Sequence, residues 1–228
     1  IQLAQQVALD ATKFGINYCF LGRGDTNIPT DFIDGKNILI TYVQKVFNGR
    51  SVFGLDANGE NVGAFLLDDS HACIDAIKNA FSMKIDRQSP LFQTFLEMFK
   101  GSLTEQGEGD FYKILGTESC PSIMAVPYWD WIRKKGEVVQ KLIDNEELDL
   151  NIKFTLPIIQ NILEFCTMYV TGNRIEITPD YAPIERFTSF YNAKTRILMS
   201  ATTQDDSFFI RGFDFSKDAV QNPLTCSK

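Results

Sequence analysis

Histidine is almost missing from this chain of 228 residues: His71 is the only one. That scarcity excludes a histidine-rich metal centre, and a metal site here would have to be built from carboxylates. Cysteine offers little more. Cys19, Cys73, Cys120, Cys166 and Cys226 are odd in number, far apart and without a C-x-x-C pair, which excludes a zinc ribbon or an iron–sulfur cluster and points to reduced thiols. Long apolar runs are absent as well. None approaches the roughly 20 residues needed to span a bilayer, and the beginning carries no signal-peptide pattern, so no membrane partner is expected and a cytoplasmic setting is. Positive charge is also short: 22 Lys and Arg stand against 29 Asp and Glu, a formal charge of −7. A general attraction to a polyanion is thereby excluded, and a nucleic-acid partner would have to be gripped at a local site. Finally, no G-x-x-x-x-G-K-[ST] phosphate loop occurs. Gly35-Lys36 is followed by Asn37, and Gly22-Arg-Gly24 lacks the rest of a dinucleotide fingerprint.

What is present is an ordinary folded composition, 44% hydrophobic and 22% charged, well away from the low hydrophobicity of disordered chains. The length suits one domain carrying a large insertion, or two domains. Leu3, Val7 and Phe14 fall near one face of an opening helix that Gly15 stops. Short β-rich runs follow at 16–21 and 37–42, the second entered through Asp34-Gly35-Lys36 turn chemistry. Residues 62–67 form a nearly unbroken apolar run ending in Asp68-Asp69. A buried parallel strand reads this way, with acids at the carboxyl end where open α/β sheets place ligands. From Ser70 to about Asn151 the pattern is mostly helical, punctuated by glycines at 101–109 and prolines at 121 and 127. Thr171-Gly172-Asn173 is a hairpin turn between two β-rich runs, and residues 196–199 form a last short core strand leading into Ser200-Ala201-Thr202.

The sharpest chemistry is Ala64-Phe-Leu-Leu-Asp-Asp-Ser-His71: an apolar strand, two acids, a small residue and the unique histidine. A hard cation needs an anionic oxygen, and an in-line attacking water needs an acceptor one hydrogen bond away, so adjacent acids at a strand end suit phosphoryl chemistry. The same residues also read as a plain strand followed by an Asp or Ser helix cap. The second feature is Lys194-Thr-Arg-Ile-Leu-Met-Ser-Ala-Thr-Thr203, a strand running into a hydroxyl pair.

In order along the chain these segments resemble the first RecA-like motor domain of a superfamily-two DEAD/DEAH-box helicase. Asp68-Asp69-Ser70-His71 resembles motif II and Ser200-Ala201-Thr202 motif III. Ile1-Gln-Leu-Ala-Gln-Gln6 looks like the tail of motif Ia, and the segment 37–47, with Thr41 and Tyr42, is similar to the stretch near motif Ib. The resemblance implies an α/β fold: a RecA-like parallel sheet with flanking helices, interrupted by a mostly helical insertion. It implies ATP and Mg²⁺ as cofactors and DNA or RNA, single-stranded, as partner. Asp68 would hold the metal, Asp69 would orient the attacking water, and His71 would act with Ser200 and Thr202 to couple hydrolysis to strand grip. Thr41 and Tyr42 would contact nucleic acid.

Departures from the family pattern carry expectations of their own. Asp69 stands where the family has Glu, shortening the reach of the base by one methylene. The phosphate loop and the second motor domain with its arginine finger are not in this sequence. Together with Ile1 in place of Met, this reads as a fragment of a longer chain, inactive by itself. The stretch between His71 and Ser200 is far longer than a minimal lobe needs. The expected lobe is therefore 1–84 with 181–228, and 85–180 is the insertion, a possible surface for a protein partner. Within it Pro127-Tyr-Trp-Asp-Trp131 is either a base-stacking platform or a packing anchor, and Arg133-Lys134-Lys135 reads as a solvated helix face. Two rival functions stand beside the helicase: a degenerate lobe serving as a non-catalytic interaction module, and a metal-dependent hydrolase using Asp68, Asp69 and His71 as ligands.

Overall fold

The structure, a computed structural model, describes residues 2–117, 121–199, 207–222 and 224, with the side chains at 2, 71, 207 and 208 left aside. In chain order the elements are α1 (Gln2–Lys13), β1 (Tyr18–Leu21), α2 (Thr30–Ile33), β2 (Ile38–Thr41), α3 (Val43–Val46), β3 (Ala64–Leu67) and α4 (Ser70–Phe81). Next come β4 (Met83–Asp86), α5 (Pro90–Gly116), β5 (Ile123–Ala125), α6 (Tyr128–Asp144), α7 (Leu150–Ile159), β6 (Cys166–Thr171) and β7 (Arg174–Pro179). The chain closes with α8 (Thr188–Tyr191), β8 (Thr195–Leu198), α9 (Ser207–Arg211) and α10 (Lys217–Gln221). It divides into two compact units, Ile1–Ile77 with Ile184–Lys228, and Lys78–Pro183. A division at residues 84 and 85 would split β4, which instead lies whole in the second unit.

The chain is α/β, but its strands are not one continuous parallel sheet. In the first unit β1 pairs with β2 and β3 with β8, each a two-stranded parallel sheet. The second unit holds a four-stranded antiparallel sheet in the order β4-β7-β6-β5. A RecA-like sheet is therefore not what the described residues form by themselves. β4 and β5 lie in the stretch that reads as helical from sequence, because four and three residues carry too little alternation to announce a strand.

In the first unit α1 packs on β1 and β2 through its small residues: Ala8 and Ala11 are buried with Ile40, and Ala4 and Tyr18 join them. The larger stripe of Leu3, Val7 and Phe14 is exposed, Phe14 by 80%. Beside β3 and β8 the core is made of phenylalanine. Phe65 lies 5.3 Å from Phe190, which lies 5.1 Å from Phe47 and 5.5 Å from Phe213 between ring centroids, distances at which edge-to-face pairs add to plain burial. The loop entering β3 is fixed by close approach. Gly54 has φ +78, and a Cβ on Gly59 would lie 2.0 Å from Thr188 Oγ1, so only glycine fits at either position. Arg186 donates through Nε and Nη2 to the Asp56 carboxylate at 3.1 and 2.7 Å, Thr188 Oγ1 to Asp56 O, and buried Ser189 Oγ to Phe53 O. This loop is thereby pinned to α8, which aims β3.

The second unit is built on α5, where Ser89 accepts from Leu91 N as N-cap and Pro90 takes the first position. Leu91, Phe92, Phe95, Leu96, Phe99 and Leu103 repeat at helical spacing and are all buried. The helix kinks at Gly107, whose ψ of 87° is non-helical. Strand β6 alternates buried and half-buried residues along its whole length, as one covered face demands. Both sheet edges meet side-chain amides. Asn151 Oδ1 accepts from Lys84 N on β4 at 2.6 Å, and Gln106 Nε2 donates to Ala125 O on β5 at 3.2 Å. These bonds blunt the edges against further pairing.

Candidate functional site

Strands β3 and β8 run in register from Ala64 opposite Thr195 to Leu67 opposite Leu198. Past their ends the ladder continues: Met199 N donates to Leu67 O at 2.9 Å, and Ser70 N donates to Met199 O at 2.8 Å. Asp68 and Asp69 therefore sit at the carboxyl edge of a parallel pair whose other strand leads directly to Ser200. Ser200 and Thr202 themselves lie outside the described residues. His71 is the second residue of α4, and its side chain is likewise outside the description.

Asp69 takes a left-handed backbone, φ +50, which Asp tolerates better than most residues because its short carboxylate bonds locally. That sharp turn ends the strand and starts α4. Asp68 Oδ1 accepts from Asp69 N at 3.0 Å, and Asp69 Oδ1 is 3.5 Å from Ala72 N, a long contact in the helix-cap position. Both acids are exposed, and among the described residues neither is held in an ion pair. Two exposed carboxylates at one strand end make this edge locally negative.

Cys73, one of the reduced thiols and not among the site residues expected from the sequence, lies under this turn. Its Sγ donates to Asp68 O at 3.3 Å. Burial, followed by the charges of Asp69 and Asp68, pushes the thiol up to about 11, so it remains a protonated packing group and not a nucleophile. Its place one turn after Asp69 on a helix was the available signal.

Magnesium is the cation the resemblance implies. One exposed carboxylate does not make a protein cage, and among the described residues no group of three or more metal-ligating side chains occurs. Mg²⁺, however, keeps most of its waters and is usually shared between one or two carboxylates and phosphate oxygens. Asp68 thus fits a magnesium that arrives with a nucleotide and not one held by the protein alone.

Thr41 and Tyr42 stand on the other parallel pair. Thr41 Oγ1 donates to Leu21 O at 3.0 Å, tying β2 to β1, and Tyr42 meets the Phe20 ring edge-on at 6.0 Å. The Thr41 proton is thus spent within the sheet, leaving its oxygen as an acceptor only. In the second unit the aromatic run divides. Trp131 is buried and donates Nε1 to Leu163 O at 2.7 Å, whereas Tyr128 and Trp129 are 68% and 70% exposed. No helix among the described residues is long and apolar enough to cross a membrane. No family model, no curated protein and no solved structure matches this chain.

Proposed function

We propose that this chain is the ATP-binding lobe of a DEAD/DEAH-type ATP-dependent helicase or translocase acting on single-stranded DNA or RNA. The observation that carries this reading is the β3–β8 ladder, which joins the acidic strand end at Asp68 and Asp69 to the strand that runs into Ser200. Two segments far apart in sequence thus run side by side as far as Leu67 and Met199, and a nucleotide-driven motor needs its metal ligand close to the groups that couple hydrolysis to the strand. Within this reading the two parallel pairs belong to one RecA-like sheet, and residues 85–180 form the insertion. Asp68 binds the nucleotide's magnesium and Asp69 orients the attacking water. His71 relays the state of the site to Ser200 and Thr202, and Tyr42 touches the strand, with the Thr41 oxygen beside it able to accept from a sugar hydroxyl or base N–H.

The test uses the complete protein that carries these residues, since a phosphate loop is not among them. Magnesium-dependent ATP hydrolysis stimulated by single-stranded nucleic acid, and abolished by Asp68→Ala, is the expected outcome. Hydrolysis at the parent rate in Asp68→Ala would overturn it. The contact of Asp69 Oδ1 with Ala72 N favours a second reading, in which this acid serves as a helix cap and the lobe is a non-catalytic interaction module. Absence of nucleotide binding in the complete protein selects that second reading.

A further inference from the structure

We propose that Tyr128 and Trp129, with Arg133 one turn further along α6, form a stacking contact for the unpaired bases of a nucleic-acid strand on the second unit. The choice of a nucleic acid as occupant rests on the helicase reading above. The contact itself is argued from this unit alone.

Rigidity comes first. Asp130 N and Trp131 N both donate to Pro127 O at 3.0 Å, closing the first turn of a 17-residue helix. Trp131 is only 1% exposed, and its indole N–H is held by Leu163 O. Residues two apart on a helix point to nearly opposite sides, so anchoring Trp131 in the core turns Trp129 outward. Trp129 therefore stands on a backbone that cannot fold it away, and Tyr128, the residue before it, is 68% exposed beside it.

Charge then selects the partner. Buried Asp130 accepts from Ser102 Oγ at 2.7 Å and from both Arg133 and Lys134. One buried carboxylate thus faces two cations, of which the Arg133 guanidinium is the one beside Trp129. Arg133 is the exposed member, its side chain 72% accessible, and it lies one turn from Trp129 on the same helix face. Lys135 is balanced by Glu164 at 2.6 Å. Exposed Glu137 lies one turn beyond Arg133, on the side away from Trp129, and among the described residues no ion pair joins the two. A ring plane for a base next to a guanidinium for its phosphate is the pairing that sequence-tolerant single-strand contacts use.

The chain contains two tryptophans, Trp129 exposed and Trp131 buried, so intrinsic fluorescence reads the contact directly. Oligo-dT and oligo-U are titrated into the complete protein, following fluorescence and, with labelled strands, anisotropy. The expected results are quenching of the exposed tryptophan and an affinity lower by about tenfold or more in Tyr128→Ala/Trp129→Ala. Tyr128→Phe/Trp129→Phe should retain the affinity, and Arg133→Gln should reduce the salt dependence by about one phosphate contact. If the double alanine variant binds strands as the parent does, the contact is wrong and the helicase reading stands. If the parent binds no single strand, both fall.

Discussion

The two units solve the problem of a sheet's exposed surfaces in opposite ways. In the second, both edge strands are met by side-chain amides, and the helices α5, α6 and α7 bury a continuous apolar core. In the first, the parallel pairs remain open: Leu66 is 62% and Ile197 43% exposed, although they face each other across β3 and β8. Parallel strands are ordinarily covered on both faces. The contrast teaches that the second unit closes over its own sheet, whereas the first leaves one face of the β3–β8 pair exposed. The acid pair and the left-handed turn at Asp69 stand at the end of this open pair, and under the proposed function Asp68 would hold the nucleotide's magnesium there.

The largest effect expected from this contrast is in dissection. Ser82 Oγ lies 3.0 Å from Thr178 Oγ1, and Met83 pairs with Ile177, so the chain enters and leaves the second unit on neighbouring strands. A protein of residues 78–183 should unfold cooperatively in denaturant, whereas residues 78–183 replaced by a short linker should leave a first unit of much lower stability that binds hydrophobic dyes. Equal stability of the two pieces would break the comparison.

Next in size is the aromatic run of α6. Trp131→Ala should cost about 3–5 kcal/mol of the second unit's stability, by cavity formation and by orphaning Leu163 O, while Trp129→Ala should change it by less than about 0.5 kcal/mol. Chemical denaturation of the two variants distinguishes them. Similar losses in both would mean that Trp129 is packed and not displayed.

Acid sensitivity comes third. Burial pushes the Asp130 carboxyl up, but the hydrogen bonds from Ser102, Lys134 and Arg133 outweigh it and hold the group below its ordinary value. A carboxylate lowered in the folded state contributes stability that is fully present above its unfolded value near 4 and is lost as pH falls through the folded one. Thermal unfolding of the second unit should therefore weaken below about pH 4, and Asp130→Asn should be less stable at neutral pH with a flatter acid limb. An unchanged acid limb in that variant would contradict the role of Asp130.

The smallest effect belongs to the open face: Leu66→Ser should alter stability by no more than about 0.5 kcal/mol, against about 2–5 for Leu67→Ala one residue on. Thermal melts of both variants check the face assignment. A large loss at Leu66 would show that this face is covered.

Much of this was legible from the residues. The strand before Asp68, the strand before Ser200 and the hairpin at Thr171-Gly172-Asn173 each announce themselves by an apolar run and turn chemistry within a few positions. The face that α1 buries was not legible, since Leu3, Val7 and Phe14 outweigh Ala4, Ala8 and Ala11 on any hydropathy count. Small residues won because they let the helix lie close on Ile40 and Tyr18. β4 was hidden for a different reason: its four residues follow closely on α4 and carry too little alternation to mark a strand. The acid pair could be found, but not the thiol beneath it or the glycine contact at Thr188, because both depend on tertiary approach.

The most direct measurement of the central claim separates hydrolysis from work on the strand in the complete protein. ATP turnover and strand unwinding are measured for Asp69→Asn and for Ser200→Ala/Thr202→Ala. The expected result is that Asp69→Asn stops hydrolysis, while the double alanine variant keeps most of the turnover and loses unwinding. ATP turnover at the parent rate in Asp69→Asn would contradict the account.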